Sequence, residues 1–270
     1  MRIITAAATL AITLAGLLPR SLAAQATGDQ ARIAFGISLG YVQARSLWSI
    51  TGQPLSDPPL TPDTLSIKRR IRPTITFGFH GTYFSGDHLG YTGEAFLLGI
   101  GFRDQCFLTY ASGSTRNAQV CSSLNGREKA ATAVALSAGL IYRVMSRKAI
   151  SPYARASAGV LVGSQSAVRT EGEFVEPQTG SEPITVIIFP DERSSHLSPI
   201  GVLAAGFTAN MGPGYQLRWE FRDNIAGVRA VTGGTAVSGL APPTATRLKH
   251  LLGFTVGFEV VLERRRGRRY

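Results

Sequence analysis

The sequence predicts an all-β fold: a closed antiparallel up-and-down transmembrane β-barrel of eight strands, with long extracellular loops and short periplasmic turns. Three observations lead there. Apolar and polar residues alternate along successive segments of strand length, the period-2 pattern of a strand with two unlike faces. The linkers between these segments are short and long in turn, as in barrels whose strands meet in tight turns at one rim and long loops at the other. Beyond the N-terminal stretch no uninterrupted apolar run of helix-spanning length occurs, so a crossing of the bilayer falls to strands.

The N-terminus predicts export. Arg2 precedes an uncharged apolar stretch from Ile3 to Leu18, and Ala24-Gln25-Ala26 offers a small-residue cleavage site, the layout of a secretory signal peptide over residues 1–26. As a membrane anchor the stretch falls short of the ~20 residues a spanning helix needs, and Arg20 follows closely. Residues 27–262 then form the barrel and residues 263–270, Glu-Arg-Arg-Arg-Gly-Arg-Arg-Tyr, a basic tail. The tail reads either as a solvated run or as an electrostatic contact with anionic headgroups. The net charge of +11 is compatible with nucleic-acid binding, but export and the lack of a recognisable motif argue against that class of partner.

The strands follow in order. The first runs near Arg32 to Val42, with Ile33, Phe35, Ile37, Leu39 and Tyr41 on one parity and Ala34, Gly36, Ser38 and Gly40 on the other. The second, about Arg72 to Phe84, sets Ile75, Phe77, Phe79 and Tyr83 against Thr74, Thr76, Gly78, His80 and Thr82. The third, Tyr91 to about Leu108, places Glu94 on the same parity as Phe96, Leu98, Ile100 and Phe102, so its facing stays open. The fourth, about Thr132 to Val144, alternates Val134, Leu136, Leu140 and Tyr142 against Ala135, Ser137, Gly139 and Arg143. A fifth strand of small residues reaches about Val168, with Tyr153, Arg155, Ser157 and Gly159 turned inward. The sixth, about His196 to Met211, ends at Gly212-Pro213-Gly214; the seventh opposes Tyr215, Leu217, Trp219 and Phe221 to Gln216, Arg218, Glu220 and Arg222. The eighth, about Arg247 to Leu262, opposes Phe254, Val256, Phe258 and Val260 to Thr255, Gly257 and Glu259. Ten strands is the competing count, but Glu173 to Glu176 and Ile184 to Phe189 are shorter than the ~9 residues of a spanning strand and read as a projecting hairpin.

Aromatic residues gather at the ends of these segments. Tyr83, Tyr91, Tyr142, Tyr215 and Phe258 fall near the short-turn rim, and Tyr41, Trp48 and Phe107 toward the other, as expected of interfacial girdles. The two cysteines, Cys106 and Cys121, flank one loop of an exported chain and are expected to pair, which would constrain the unfolded chain by roughly 3 kcal/mol.

At the chain's end Gly253-Phe254-Thr255-Val256-Gly257-Phe258 resembles the C-terminal signal of bacterial outer-membrane barrels, Gly-x-x-hydrophobic-x-aromatic, with Gly253, Val256 and Phe258 at its defining positions. With the signal peptide and eight segments, the chain from about Ala31 to Leu262 resembles the small bacterial outer-membrane barrel superfamily of the outer-membrane protein A and outer-membrane protein X type. The resemblance implies the outer membrane as location, outer-membrane lipid and lipopolysaccharide as surroundings, and the barrel-assembly machinery as a folding partner. It departs from the family in the basic tail that follows the signal.

The inward parity collects Arg32, His80, Arg143, Arg155, Gln216, Arg218, Glu220, Arg222 and Glu259. Inside eight strands there is room for side chains and little else, so these are expected to form a lumenal network of ion pairs; an anion-preferring pore lined by Arg is the alternative. A hydrolase has one foothold, His196-Leu197-Ser198, whose His-x-Ser resembles that of outer-membrane lipid A deacylases. There is no phosphate-binding glycine loop, HExxH or Cys/His zinc spacing, so no cofactor or metal is expected. The expectation is a non-enzymatic barrel whose loops carry a structural or surface-interaction role, possible extracellular ligand included, with a small pore second and a lipid A acyl-ester hydrolase third.

Overall fold

The computed structural model describes residues 33–43, 45–55, 63–110, 113–125, 128–129, 132–146, 148–163, 166–176, 182–191 and 197–262. The signal segment 1–26, Arg32, His196 and the tail 263–270 lie outside the described residues.

Eight strands close into a ring: β1 (Ile33–Val42), β4 (Thr74–Phe84), β5 (Leu89–Gly99), β8 (Thr132–Arg143), β9 (Ile150–Gly163), β12 (Leu197–Gly212), β13 (Tyr215–Val231) and β14 (Thr244–Leu262). Neighbours in this order are antiparallel, and β1 seals the ring against β14 from Ile33↔Leu262 to Val42↔Gly253. Short turns join β4 to β5, β8 to β9 and β12 to β13 at the rim where β1 begins and β14 ends; Gly214, at φ +81°, supplies the left-handed residue of the last of these. The long connections leave the opposite rim.

The parity read from the sequence holds. Phe35, Leu39, Ile75, Phe79, Leu136 and Phe221 are more than half exposed on the outer wall, while the alternate positions are buried. Burial that places polar groups inside and bare apolar groups outside is the inverse of a soluble barrel and is the arrangement of a membrane-spanning one. No helix among the described residues is long and apolar enough to cross a membrane.

Three expectations are corrected. The third segment is not one strand: it breaks at Ile100-Gly101, and only Leu89–Gly99 joins the barrel. The first of the long connections expected on the long-loop rim is not an open loop: its described residues form β2 (Arg45–Leu55) and β3 (Asp63–Ile71), which make a four-stranded sheet with β6 (Phe102–Tyr110) and β7 (Glu128–Lys129). Trp48 belongs to no interfacial girdle, because this sheet buries its ring and its Nε1 donates to the Ala167 carbonyl at 2.9 Å. The projecting hairpin is present as β10 (Thr170–Val175) paired with β11 (Pro183–Phe189).

Between β6 and β7 lies α1 (Thr115–Leu124), opened by Ser114, whose hydroxyl accepts from the Asn117 amide at 3.3 Å and so satisfies one of the unpaired N–H groups of the first turn. The Cys106–Cys121 disulfide fastens α1 to β6. Sheet, helix and hairpin together form a folded cap on the long-loop rim.

Candidate functional site

The lumen divides into a polar half and an apolar half. Toward the short-turn rim, inward side chains of β4, β5, β9, β13 and β14 form one charged network. Glu220 accepts from Arg155 Nε and Nη2, both at 2.7 Å, from Arg218 Nη2 at 2.6 Å and from the Tyr153 hydroxyl at 2.9 Å. Glu259 pairs with His80 Nε2 at 2.7 Å and Arg218 Nη1 at 3.1 Å, and accepts from the Gln216 amide. Glu94 receives Arg222 through Nη1 and Nη2 at 2.7 and 3.1 Å and Arg155 Nη2 at 2.8 Å. β13 and β5 stand four places apart in a ring of eight, so the Arg222–Glu94 pair spans the barrel's diameter.

Every charge in this group is buried, and a buried ion without partners costs several kcal/mol. The network answers that cost with many hydrogen bonds per carboxylate and with aromatic faces. Arg222 lies over Phe96 at 4.5 Å, Arg218 over Tyr153 at 4.7 Å, and Arg143, beside the short-turn rim, over Phe84 at 3.6 Å. Room for such long side chains comes from inward glycines beside them in the wall, as at Gly36 of β1, which stands in register between His80 of β4 and Glu259 of β14. A Cβ on Gly36 would meet His80 Nε2 and Glu259 Cγ, each at 2.7 Å.

Toward the long-loop rim the inward residues turn apolar: Phe96, Leu98, Ala133, Ala135, Leu161, Ile200, Val202, Ala226, Val228 and Leu251. They pack in one cluster with Leu47, Trp48, Ile50, Leu65, Ile67, Ile188 and Phe189 of the cap. The core of the cap therefore passes through the rim and ends inside the barrel.

Within the cap one cation is fully enclosed. Arg69 of β3 donates Nε and Nη2 to the two Asp104 oxygens at 2.6 Å each, Nη1 to the carbonyls of Ala167 and Arg169 at 3.0 Å, and Nη2 to Thr170 Oγ1 at 3.1 Å. Its guanidinium also sits 5.0 Å from the Trp48 ring centre. One side chain thus ties the four-stranded sheet to the hairpin. The fourth connection is tied in by Gln53, whose Oε1 accepts from the Thr235 amide at 2.8 Å.

Of the lumenal residues expected from the sequence, His80, Arg143, Arg155, Gln216, Arg218, Glu220, Arg222 and Glu259 are all inward and buried, and Arg32 lies outside the described residues. Glu94 was not among them. Its parity matched Phe96 and Leu98, and the clue was that an inward face can be polar below and apolar above. Gly253, Val256 and Phe258 sit on β14, with Val256 and Phe258 on the outer wall. Ser198 is inward on β12, opposite Leu161, while His196 lies outside the described residues. Among the described residues no group of His, Cys, Asp and Glu is placed to hold a metal.

The outer apolar wall, the polar lumen and the alternation of tight turns with long connections decide the architecture. It is that of a closed, eight-stranded, membrane-spanning β-barrel. No family model and no curated protein matches the chain. Solved structures similar to it include Neisserial surface protein A, at 10% identity and TM-score 0.40 over 85% of this chain and 97% of that one. The outer membrane protein OprG from Pseudomonas aeruginosa shows 10% identity and TM-score 0.49 over 88% and 99%. Ail, the attachment invasion locus protein of Yersinia pestis, solved with the heparin analogue sucrose octasulfate, shows 12% identity and TM-score 0.34 over 86% and 99%. The closed ring, the apolar belt and the filled lumen stand on this chain's own geometry.

Proposed function

We propose that this small outer-membrane barrel is a non-conducting, non-enzymatic anchor. It is exported by the signal peptide of residues 1–26, inserted into the bacterial outer membrane by the barrel-assembly machinery, and holds the folded cap at the cell surface. The observation that carries the reading is the filling of the lumen. Arg222 and Glu94 bridge it from wall to wall, and the apolar cluster above them is shared with the cap. A cap that spends its core on closing the barrel is a surface to be presented, in contact with lipopolysaccharide at its base and with extracellular ligands above.

The test is conductance of the refolded chain in a planar bilayer, run beside a surface-binding assay of the cap. No current is expected. A reproducible open-channel conductance whose ion preference changes when Arg218 is neutralised would replace this reading with a transport one. Release of fatty acid from lipid A, lost in Ser198→Ala, would replace it with the hydrolase.

A further inference from the structure

The hairpin of β10 and β11 has two edges, and only one of them is closed. On the β10 side the amides of Glu173 and Val175 point away from β11 and donate to Ser123 Oγ at 2.7 Å and Gln119 Oε1 at 2.9 Å, both on α1. The helix thus occupies the place that a further strand would take. β11 pairs with β10 alone. Among the described residues its far edge receives one backbone bond, from the Gly239 amide to the Ile188 carbonyl at 3.2 Å. From Pro183 to Ile187 that edge is open.

The register decides which groups stand on it. In an antiparallel ladder each residue turns its N–H and C=O to the same side, and opposed residues either bond each other or both face away. Glu173 stands opposite Thr185 and Val175 opposite Pro183, so the N–H and C=O of Thr185 and the C=O of Pro183 face outward from β11. Ile187, opposite Glu171, shares their side, and Pro183 has no N–H to offer. The side chains along this edge are apolar and uncovered. Ile184 and Ile187, with Val237 and Leu240 on the connection that carries Gly239, are each 40 to 50% exposed. That connection joins β13 to β14 well past Gly253, where the β1–β14 ladder ends, so these side chains belong to the cap and not to the lipid-facing belt.

We infer that β11 is a self-pairing edge whose occupant is a second copy of this chain, β11 running antiparallel to β11 about a two-fold axis at Thr185. Complementarity of charge selects that partner. Pro183–Phe189 carries no ionised side chain, so two copies meet there without like-charge opposition, and Glu182 of each copy falls at an opposite end of the paired stretch. The partial charges match as well. Thr185 donates to and accepts from the partner's Thr185, and the Ile187 N–H donates to the carbonyl of the partner's Pro183. Threonine against threonine and isoleucine against proline are side-chain pairs that a sheet accepts. Each copy has a single open edge on this hairpin, so the contact is isologous and closes at two chains. The inference goes beyond the anchor reading and takes from it only that the cap stands outside the bilayer.

Sedimentation velocity of the refolded chain in detergent micelles tests it, and a concentration-dependent monomer–dimer equilibrium is expected. Thr185→Pro removes the central N–H without touching a bond to β10 and should move the equilibrium about tenfold toward monomer, two backbone bonds being lost per dimer. Thr185→Lys, at an exposed position where the hairpin tolerates it, sets two ammonium groups opposite each other and should move it at least about fivefold. Thr185→Cys should give a disulfide-linked dimer under mild oxidation, because the Cα atoms of a bonded pair lie about 5.5 Å apart. Val175→Cys, on the strand whose edge is closed, should not. A chain monomeric at every concentration, or a dimer indifferent to both Thr185→Pro and Thr185→Lys, would overturn the pairing. A monomeric chain that binds an unrelated uncharged peptide, and loses it in Thr185→Pro, would give the edge to a foreign strand and overturn the second copy as occupant. Failure of the chain to insert into lipid vesicles would overturn the anchor reading instead, a result separate from the sedimentation.

Discussion

Arg222 of β13 and Glu94 of β5 come from opposite sides of the barrel and meet through two hydrogen bonds of 2.7 and 3.1 Å. A strand pairs only with its neighbours, so contacts of this kind are the one means by which opposite walls sense each other. The lumenal network is in this respect a set of struts.

Removing a strut should be expensive. Glu94→Ala leaves Arg222 and Arg155 buried with an uncompensated charge and is expected to lower stability by about 3 to 5 kcal/mol, the cost of breaking a buried pair from one side. Glu220→Ala should cost at least as much, because Arg155, Arg218 and Tyr153 all lose a partner. Urea unfolding of the barrel in lipid vesicles measures both.

The two faces of β13 should respond oppositely to charge. Leu217→Arg or Trp219→Arg places a cation against lipid and is expected to hinder insertion by up to about 2 to 4 kcal/mol near the midplane. Gln216→Arg, one residue away and turned toward Glu259, should be milder. Equal losses at both parities, read from insertion yields, would contradict the facing.

Gly36→Ala should disturb the barrel although alanine suits a strand no worse. The added Cβ would come within 2.5 Å of the Phe258 carbonyl oxygen and 2.7 Å of His80 Nε2, and overpacking of this kind costs about 1 to 3 kcal/mol. A companion His80→Ala change should recover part of the loss, which a double-mutant cycle resolves.

Cap and barrel can be loosened separately. Reducing the Cys106–Cys121 bond removes a cross-link across 15 residues, worth roughly 3 kcal/mol in loop entropy, and Arg69→Met strips Asp104 of its bidentate partner inside the cap. Both should raise amide exchange in β3, β6 and α1 while the amides of β1 and β14 stay protected, as hydrogen-exchange mass spectrometry can show.

How much of this was legible in the residues depends on whether polarity and facing agree. In β1, β8 and β13 they do: Ile37 against Ser38, or Trp219 against Glu220, reads as outside against inside. In β5 they part company, because the upper lumen is apolar, and Glu94 shares its face with Phe96 and Leu98. The cap was illegible for a related reason. Arg45–Leu55 and Asp63–Ile71 carry buried polar residues such as Gln53, Asp63 and Arg69, whose partners sit on other connections many residues away, and a local pattern cannot register them.

Because Leu98, Ile200 and Leu251 pack in one cluster with Trp48 and Phe189, the outer end of this molecule is not a set of exchangeable loops mounted on a frame. A foreign peptide spliced into the first or third connection would withdraw hydrophobic side chains from the throat of the barrel, so an insertion that ignored them would reach the transmembrane wall. The ground open to such change is the solvent side of the four-stranded sheet around Ser49, Lys68 and Arg70, whose side chains are exposed and lie outside the buried cluster.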